Sequence, residues 1–212
     1  MKEYYRRHLP HINPVSAIYF ITFRLINSLP HHLILQLMEE YDKDRELKSL
    51  QKIDPAIKSV PESFYRKYFE SFDSFLDNQQ SGNSWLRQDA VARIVYNAIK
   101  YRDNKDYDLI CFTIMSNHVH MLIDVRRDVI PSYNSYTVLT TILHSLKRFT
   151  AFECNRALHR SGPFWQSESY DHVVKDEAEL ERIIRYVVYN PVKAGFVKDP
   201  KKWKFTYCKY FL

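Results

Sequence analysis

The residues best suited to chemistry in this chain are two histidines one residue apart, His118-Val119-His120. In a strand, residues i and i+2 project to the same face, so the two imidazoles lie side by side while Val119 enters the opposite layer. Such a pair can ligate one metal ion or supply two bases; the alternative is two polar-face histidines satisfied by hydrogen bonds. The surroundings favour a shared cation. ICFTIM comes before the pair and MLIDV after it, and unpaired imidazoles are costly among apolar residues. A second element is Tyr186 with Asn190, inside RYVVYNPVKAGFV. At i and i+4 they share a helix face. A phenol titrating near 10 is a weak nucleophile at neutral pH unless a metal or base assists it. An amide oxygen is a reasonable hard ligand for a divalent cation. Tyr189, turned roughly 100° from Asn190, reads as the core aromatic of this helix. With 16 tyrosines in the chain, a Tyr-x-x-x-Asn pair alone carries little weight; the histidines give it meaning.

These residues need elements to hold them. Ala17 to Leu25 is β-branched and aromatic and reads as a buried first strand. Helical spacing runs from His32 to Leu50; a charge-mixed stretch from Asp42 to Pro61, with Pro55 and Pro61, reads as an irregular insertion or a broken helix, and a helix from Ser63 to Leu76 and a turn from Asn78 to Ser84 follow. Trp85 to Tyr101 is an amphipathic helix. Tyr107 to Ser116 and His118 to Val125 are consecutive strands that a corner at Ser116–Asn117 makes an antiparallel pair. Ser135 to His159 is a long helix with Val138, Ile142, Leu146, Phe149 and Phe152 on one face, ended by Gly162. Phe164 to Val174 reads as the last strand. Asp176 to Asn190 is a helix whose acidic first turn suits the dipole and which Pro191 stops. The expectation is an α+β, ferredoxin-like antiparallel sheet with helices packed on one face. It forms a single domain over 1–212, with an insertion around 42–80 and a basic, aromatic C-terminal tail over 194–212.

Composition limits what this scaffold can do. The chain has 212 residues, 45% of them apolar and 15% aromatic, too many for a disordered chain. The three glycines, Gly82, Gly162 and Gly195, cannot build a dinucleotide fingerprint or a P-loop. A net charge of +6 favours an anionic partner, nucleic acid foremost. Cys111, Cys154 and Cys208 form no C-x-x-C and read as reduced thiols in a cytoplasmic protein. No apolar run is long enough to span a membrane.

Taken together, SNHVHMLIDV, FWQSESYDHVV and RYVVYNPVKAGFV resemble the single-tyrosine HUH transposases of the insertion-sequence type, most of all the REP-associated tyrosine transposases. The resemblance runs from about Ala17 to Phe205. It implies an HUH nuclease fold that nicks and joins single-stranded, hairpin-containing DNA through a 5′-phosphotyrosine intermediate. His118, His120 and Asn190 would hold Mg²⁺ or Mn²⁺, and Tyr186 would be the nucleophile. Such an enzyme needs no ATP, in keeping with the missing P-loop. Related transposases also leave a homodimer open. Candidate DNA contacts are Lys147, Arg148, Arg156 and Arg160 of the long helix, His172, and Lys201, Lys202 and Lys204 of the tail; each could equally be a solvated or packed side chain. Asp124 could support the histidines or simply end its strand, and Trp165 and Trp203 read as core residues. Two other functions remain: a single-stranded nucleic-acid binder of the same fold without catalysis, and a metal-dependent hydrolase of small phosphoesters. The second should carry more carboxylates near the histidines than Asp124.

Overall fold

The computed structural model describes residues 4–6, 10–12, 17–29, 74–77, 82–126 and 138–210. The chain divides into two compact units, Met1–Ile26 with Ser84–Leu212, and Asn27–Asn83. The helix read over His32 to Leu50, the charge-mixed stretch after it and most of the 42–80 segment lie outside the described residues. In the smaller unit, residues 74–77 are helical, and Leu29 and Leu76 are buried. Gly82 there has φ +108°, and a Cβ would stand 2.8 Å from the Asn27 carbonyl oxygen. Any side chain at that position would therefore be strained.

The larger unit is built on a five-stranded antiparallel sheet. In chain order its described elements begin with a short ladder, β1 (Tyr4–Arg6) with β2 (Pro10–Ile12), and then β3 (Ile18–Leu25). A 3₁₀ turn η1 (Trp85–Arg87) and helix α1 (Asp89–Arg102) follow, then β4 (Asp108–Ile114) and β5 (His118–Asp124). Helix α2 (Val138–Ala157), β6 (Trp165–Val173), helix α3 (Glu177–Lys193), the turn η2 (Pro200–Lys202) and β7 (Thr206–Cys208) complete it. The sheet order is β6-β3-β5-β4-β7, so the histidine strand is central.

Strand alternation sorts the sheet into two unlike faces. Tyr19, Ile21 and Phe23 of β3, Val119, Met121 and Ile123 of β5, and Phe112 and Ile114 of β4 enter one apolar core with α1 and α2. The residues between them are largely polar. Thr22, Arg24, Thr113, His118, His120 and Asp124 are all buried, and α3 packs over this second face through β4, β5 and β7. Helices thus flank both sides of the sheet, not one. The α+β antiparallel architecture stands, and the unlike faces explain the difference: a single polar-lined layer is left for a single helix.

Several boundaries move for identifiable reasons. The first helix opens as a 3₁₀ turn, and α1 starts only at Asp89, after an extended Gln88. On α2 the buried stripe is Leu139, Ile142, Leu143, Leu146, Thr150 and Cys154, while Phe149 and Phe152 are 48% and 66% exposed. At 100° per residue, small residues inside the stripe and aromatics beside it mislead a reading by hydrophobicity. Pro191 lies inside α3 instead of stopping it. Proline removes one donor, yet Ala194 N–H still donates to the Asn190 carbonyl at 2.9 Å and carries the turn onward. Trp165–Val173 is not the last strand, because the tail adds β7 beside β4 with Thr113 and Thr206 joined at 2.7 Å. That tail is packed: Phe205 is buried, and Trp203 Nε1 donates to the Ile114 carbonyl at 3.0 Å.

Candidate active site

The histidine pair is set by the β4–β5 corner. Met115 N–H donates to the His118 carbonyl at 2.9 Å and Leu25 N–H to the Asn117 carbonyl at 2.8 Å, which fixes the turn against β3. His118 and His120 are fully buried, opposite Arg24 and Thr22 of β3. His118 Nδ1 lies 2.7 Å from Asn117 Oδ1, His120 Nδ1 lies 2.7 Å from Thr22 Oγ1, and the two Nε2 atoms face each other at 2.9 Å. An amide oxygen can only accept, so His118 carries its proton on Nδ1 and presents a bare Nε2. Without a cation, one proton bridges the two Nε2 atoms while the Thr22 hydroxyl donates to His120. Were a cation held there, Thr22 would accept from His120 Nδ1 and both Nε2 atoms would be left as donors to it. The two Nε2 atoms, 2.9 Å apart, are nitrogen donors of a kind that divalent ions accept. The donors therefore fit a divalent ion.

The tyrosine meets this pair from above. The Tyr186 ring lies edge-on to His120 with centroids 5.5 Å apart, and also against Phe20 at 6.0 Å. Phe20 stacks on His120 at 5.8 Å, so the three rings form one mutually contacting cluster. Lys193, one helical turn past Tyr189, places Nζ 5.6 Å from the Tyr186 ring centroid. Asn190 is buried, and its Oδ1 accepts no hydrogen bond among the described residues. No three residues of the His, Cys, Asp or Glu types gather among the described residues.

Helix α3 is well anchored at its start. Asp176 caps it by accepting from Glu179 N–H at 2.8 Å. The buried Glu179 carboxylate in turn receives His172 at 3.1 Å, Arg182 at 3.0 Å and the Lys175 N–H at 2.9 Å. His172 is therefore tied to the base of the tyrosine helix. Tyr189 is not a core aromatic: it is 56% exposed, while the buried side of α3 is Ile183, Ile184, Val187, Val188, Asn190 and Pro191.

The expected phosphate contacts divide by their present partners. Arg148, Lys201 and Lys202 are exposed. Lys147 donates to the Gln166 and Ser167 carbonyls at 2.7 and 3.1 Å and to Ser169 Oγ at 3.1 Å. Arg156 pairs with Glu153 at 2.5 Å. Arg160 binds Asn155 and the Pro163 carbonyl and lies over the Trp85 ring. Lys204 pairs with Asp89. Asp124 is clamped by Arg126 through both oxygens, and Trp165 is buried with Nε1 on Thr150.

Sequence reasoning missed the supports. Asn117 and Thr22 were visible only as ordinary strand-end and strand residues, and nothing local tied them to the imidazoles. Arg24 is a buried cation opposite His118 whose guanidinium burial pushes down to about 10, with Glu168 acting in the opposite direction.

A family model described as "Transposase IS200 like" matches residues 82–190, a span that contains both histidines, Tyr186 and Asn190. The chain belongs to the IS200-like transposase family. It is also 24% identical over 106 residues to a REP-associated tyrosine transposase of Haemophilus influenzae, covering 47% of this chain and 58% of that protein. The chain thus spans little more than half the length of this relative. A solved structure of a REP-associated tyrosine transposase bound to a REP hairpin overlays on 97% of this chain and 82% of its own, at 16% identity and a TM-score of 0.48. The expectation of a transposase is met at the level of the family. Among the described residues, no helix is long and apolar enough to cross a membrane.

Proposed function

We infer that this transposase nicks and rejoins single-stranded DNA, with Tyr186 as nucleophile and His118, His120 and Asn190 as the ligands of a divalent cation. The observation that carries the reading is the contact of Tyr186 with His120 at 5.5 Å, directly beside the facing Nε2 pair. Mg²⁺ or Mn²⁺ bound there would polarise the scissile phosphate as a Lewis acid; the nitrogen-rich donor set suits Mn²⁺.

The chain's own residues do the rest. Asn117 and Thr22 fix the imidazole orientation through Nδ1. Phe20 and α3 keep water away from the pair. Tyr186 gives up its phenolic proton to solvent as Oη attacks phosphorus, forming a P–O bond to the phenol and breaking the bond to the 3′ oxygen, which takes up a proton and leaves as a hydroxyl. The phosphodiester energy is conserved in the phosphotyrosine link, so a 3′-hydroxyl can reverse the step without a nucleotide cofactor. Exposed Arg148, Lys201 and Lys202 can meet backbone phosphates directly. Lys147, Arg156, Arg160, Lys204 and His172 would each exchange an intramolecular partner to do so. Tyr186 and both imidazoles come from one chain, so the reading requires no second copy.

The test is covalent capture. Protein incubated with Mn²⁺ and a single-stranded hairpin oligonucleotide should give an adduct stable on a denaturing gel. Tyr186→Phe should lose the adduct and keep oligonucleotide binding. An adduct that persists in Tyr186→Phe overturns the assignment, and binding without any adduct from the unaltered chain would favour the binder without catalysis.

A further inference from the structure

The outer side of α3 carries a stripe of cations and tyrosines. Arg182, Arg185, Tyr186, Tyr189 and Lys193 recur at i, i+3, i+4, i+7 and i+11, the spacing of one helix face. The first four line a cavity of about 660 Å³ closed on its other side by Asp199, Pro200 and Lys201 of η2. Its volume lies within the roughly 300–1,000 Å³ of small-ligand sites. Three cations face one carboxylate there, and that carboxylate is occupied in capping η2 through the Lys201 N–H at 3.0 Å. Tyr186 belongs to both places: its ring touches His120, and it also lines this cavity. A strand held with a phosphate at the imidazole pair therefore has this cavity as its adjoining space.

We propose that the cavity is a nucleotide subsite for single-stranded DNA. It takes the nucleotide next to the phosphate that Tyr186 attacks, stacks its base on Tyr189 and holds its outer phosphate with Arg185 and Lys201. The inference rests on the reading of Tyr186 as nucleophile for its location, and on the stripe itself for its chemistry. Interleaved aromatics and cations are what a single strand requires: every base has a π-face to stack, and the backbone needs positive charge. A duplex offers no free base face to Tyr189. The exposed tyrosine, which makes a poor choice for a solvated helix surface, gains a role as a platform tolerant of base identity.

Binding is measured without cleavage, by fluorescence anisotropy of a labelled single-stranded oligonucleotide in EDTA. A fluorescent adenine analogue placed on either side of the cleavage position reports stacking. Tyr189→Ala should weaken binding about tenfold and brighten the analogue at one flanking position, while Tyr189→Trp should retain both the affinity and the quenching. Replacing Arg185 and Lys201 by alanine should lower the log–log salt slope by roughly 0.7 for each phosphate left without its cation. Tyr189 is exposed, so its substitution leaves the fold intact. Unchanged affinity and unchanged quenching in Tyr189→Ala overturn the subsite, even if the covalent adduct forms normally. Quenching that depends on Tyr189 without any adduct to Tyr186 would instead sink the nucleophile and keep the subsite.

Discussion

At the scale of single residues, the site is a matter of which nitrogen carries which proton. Asn117 Oδ1 holds the His118 ring through Nδ1, and the Thr22 hydroxyl, which can donate or accept, holds the His120 ring. Thr22→Val keeps the side-chain shape and removes the hydroxyl, so the His120 ring loses its orienting partner. Mn²⁺ affinity measured by calorimetry should fall by about tenfold or more, in the range for lost partners of metal-bound histidine. An unchanged affinity would mean that Thr22 serves the sheet only. The imidazole pair itself was legible because period-two alternation is a strict rule for strands. Its supports were not, since Thr22 is 98 residues away from His120 and only β3–β5 register brings them together. Tyr189 failed at the same scale. An aromatic in an amphipathic helix looks like core, and only the packed structure shows Val187 and Val188 filling that role.

At the scale of elements, α2 and β6 are joined by the Trp165–Thr150 hydrogen bond and by one amine. Lys147 donates to two carbonyls and a hydroxyl of the β6 segment, whereas Arg148 beside it is exposed. Lys147→Met should therefore cost about 1–3 kcal/mol in denaturant unfolding, through unsatisfied part-buried acceptors. Arg148→Ala should stay within about 0.5 kcal/mol. Equal effects would show that the amine bridge contributes nothing to folding. Strands β3 to β5 and helices α1 to α3 were readable from pattern because each is long enough to show its period, whereas β6 alternates irregularly. The three-residue β7 was not: its pairing is decided by contact with β4 across about a hundred residues, which no local pattern carries. The run of α3 through Pro191 was hidden for a related reason, since a proline near a helix end costs only one hydrogen bond and packing decides whether the chain bends away.

For the molecule as a whole, buried thiols set an alkaline limit. Burial pushes the Cys154 thiol up to about 12 and raises Cys111 well above its usual range, with the neighbouring Cys208 adding to the latter. Unfolded thiols ionise near 8.5, so above that pH the unfolded state binds fewer protons than the folded one. Stability is complete below about pH 8 and falls as pH rises toward the folded values, by at most about 1.4 kcal/mol per pH unit for each thiol. Denaturant midpoints between about pH 7 and 10.5 should fall accordingly, with a shallower slope in Cys154→Ser; a flat profile would contradict the burial of these groups. The position of β5 between β3 and β4 has a different outcome. Its amides should be among the last to trade hydrogen for deuterium, opening only when the entire unit does. The two imidazoles would then keep their spacing through any partial opening of the unit and lose it only with the whole fold.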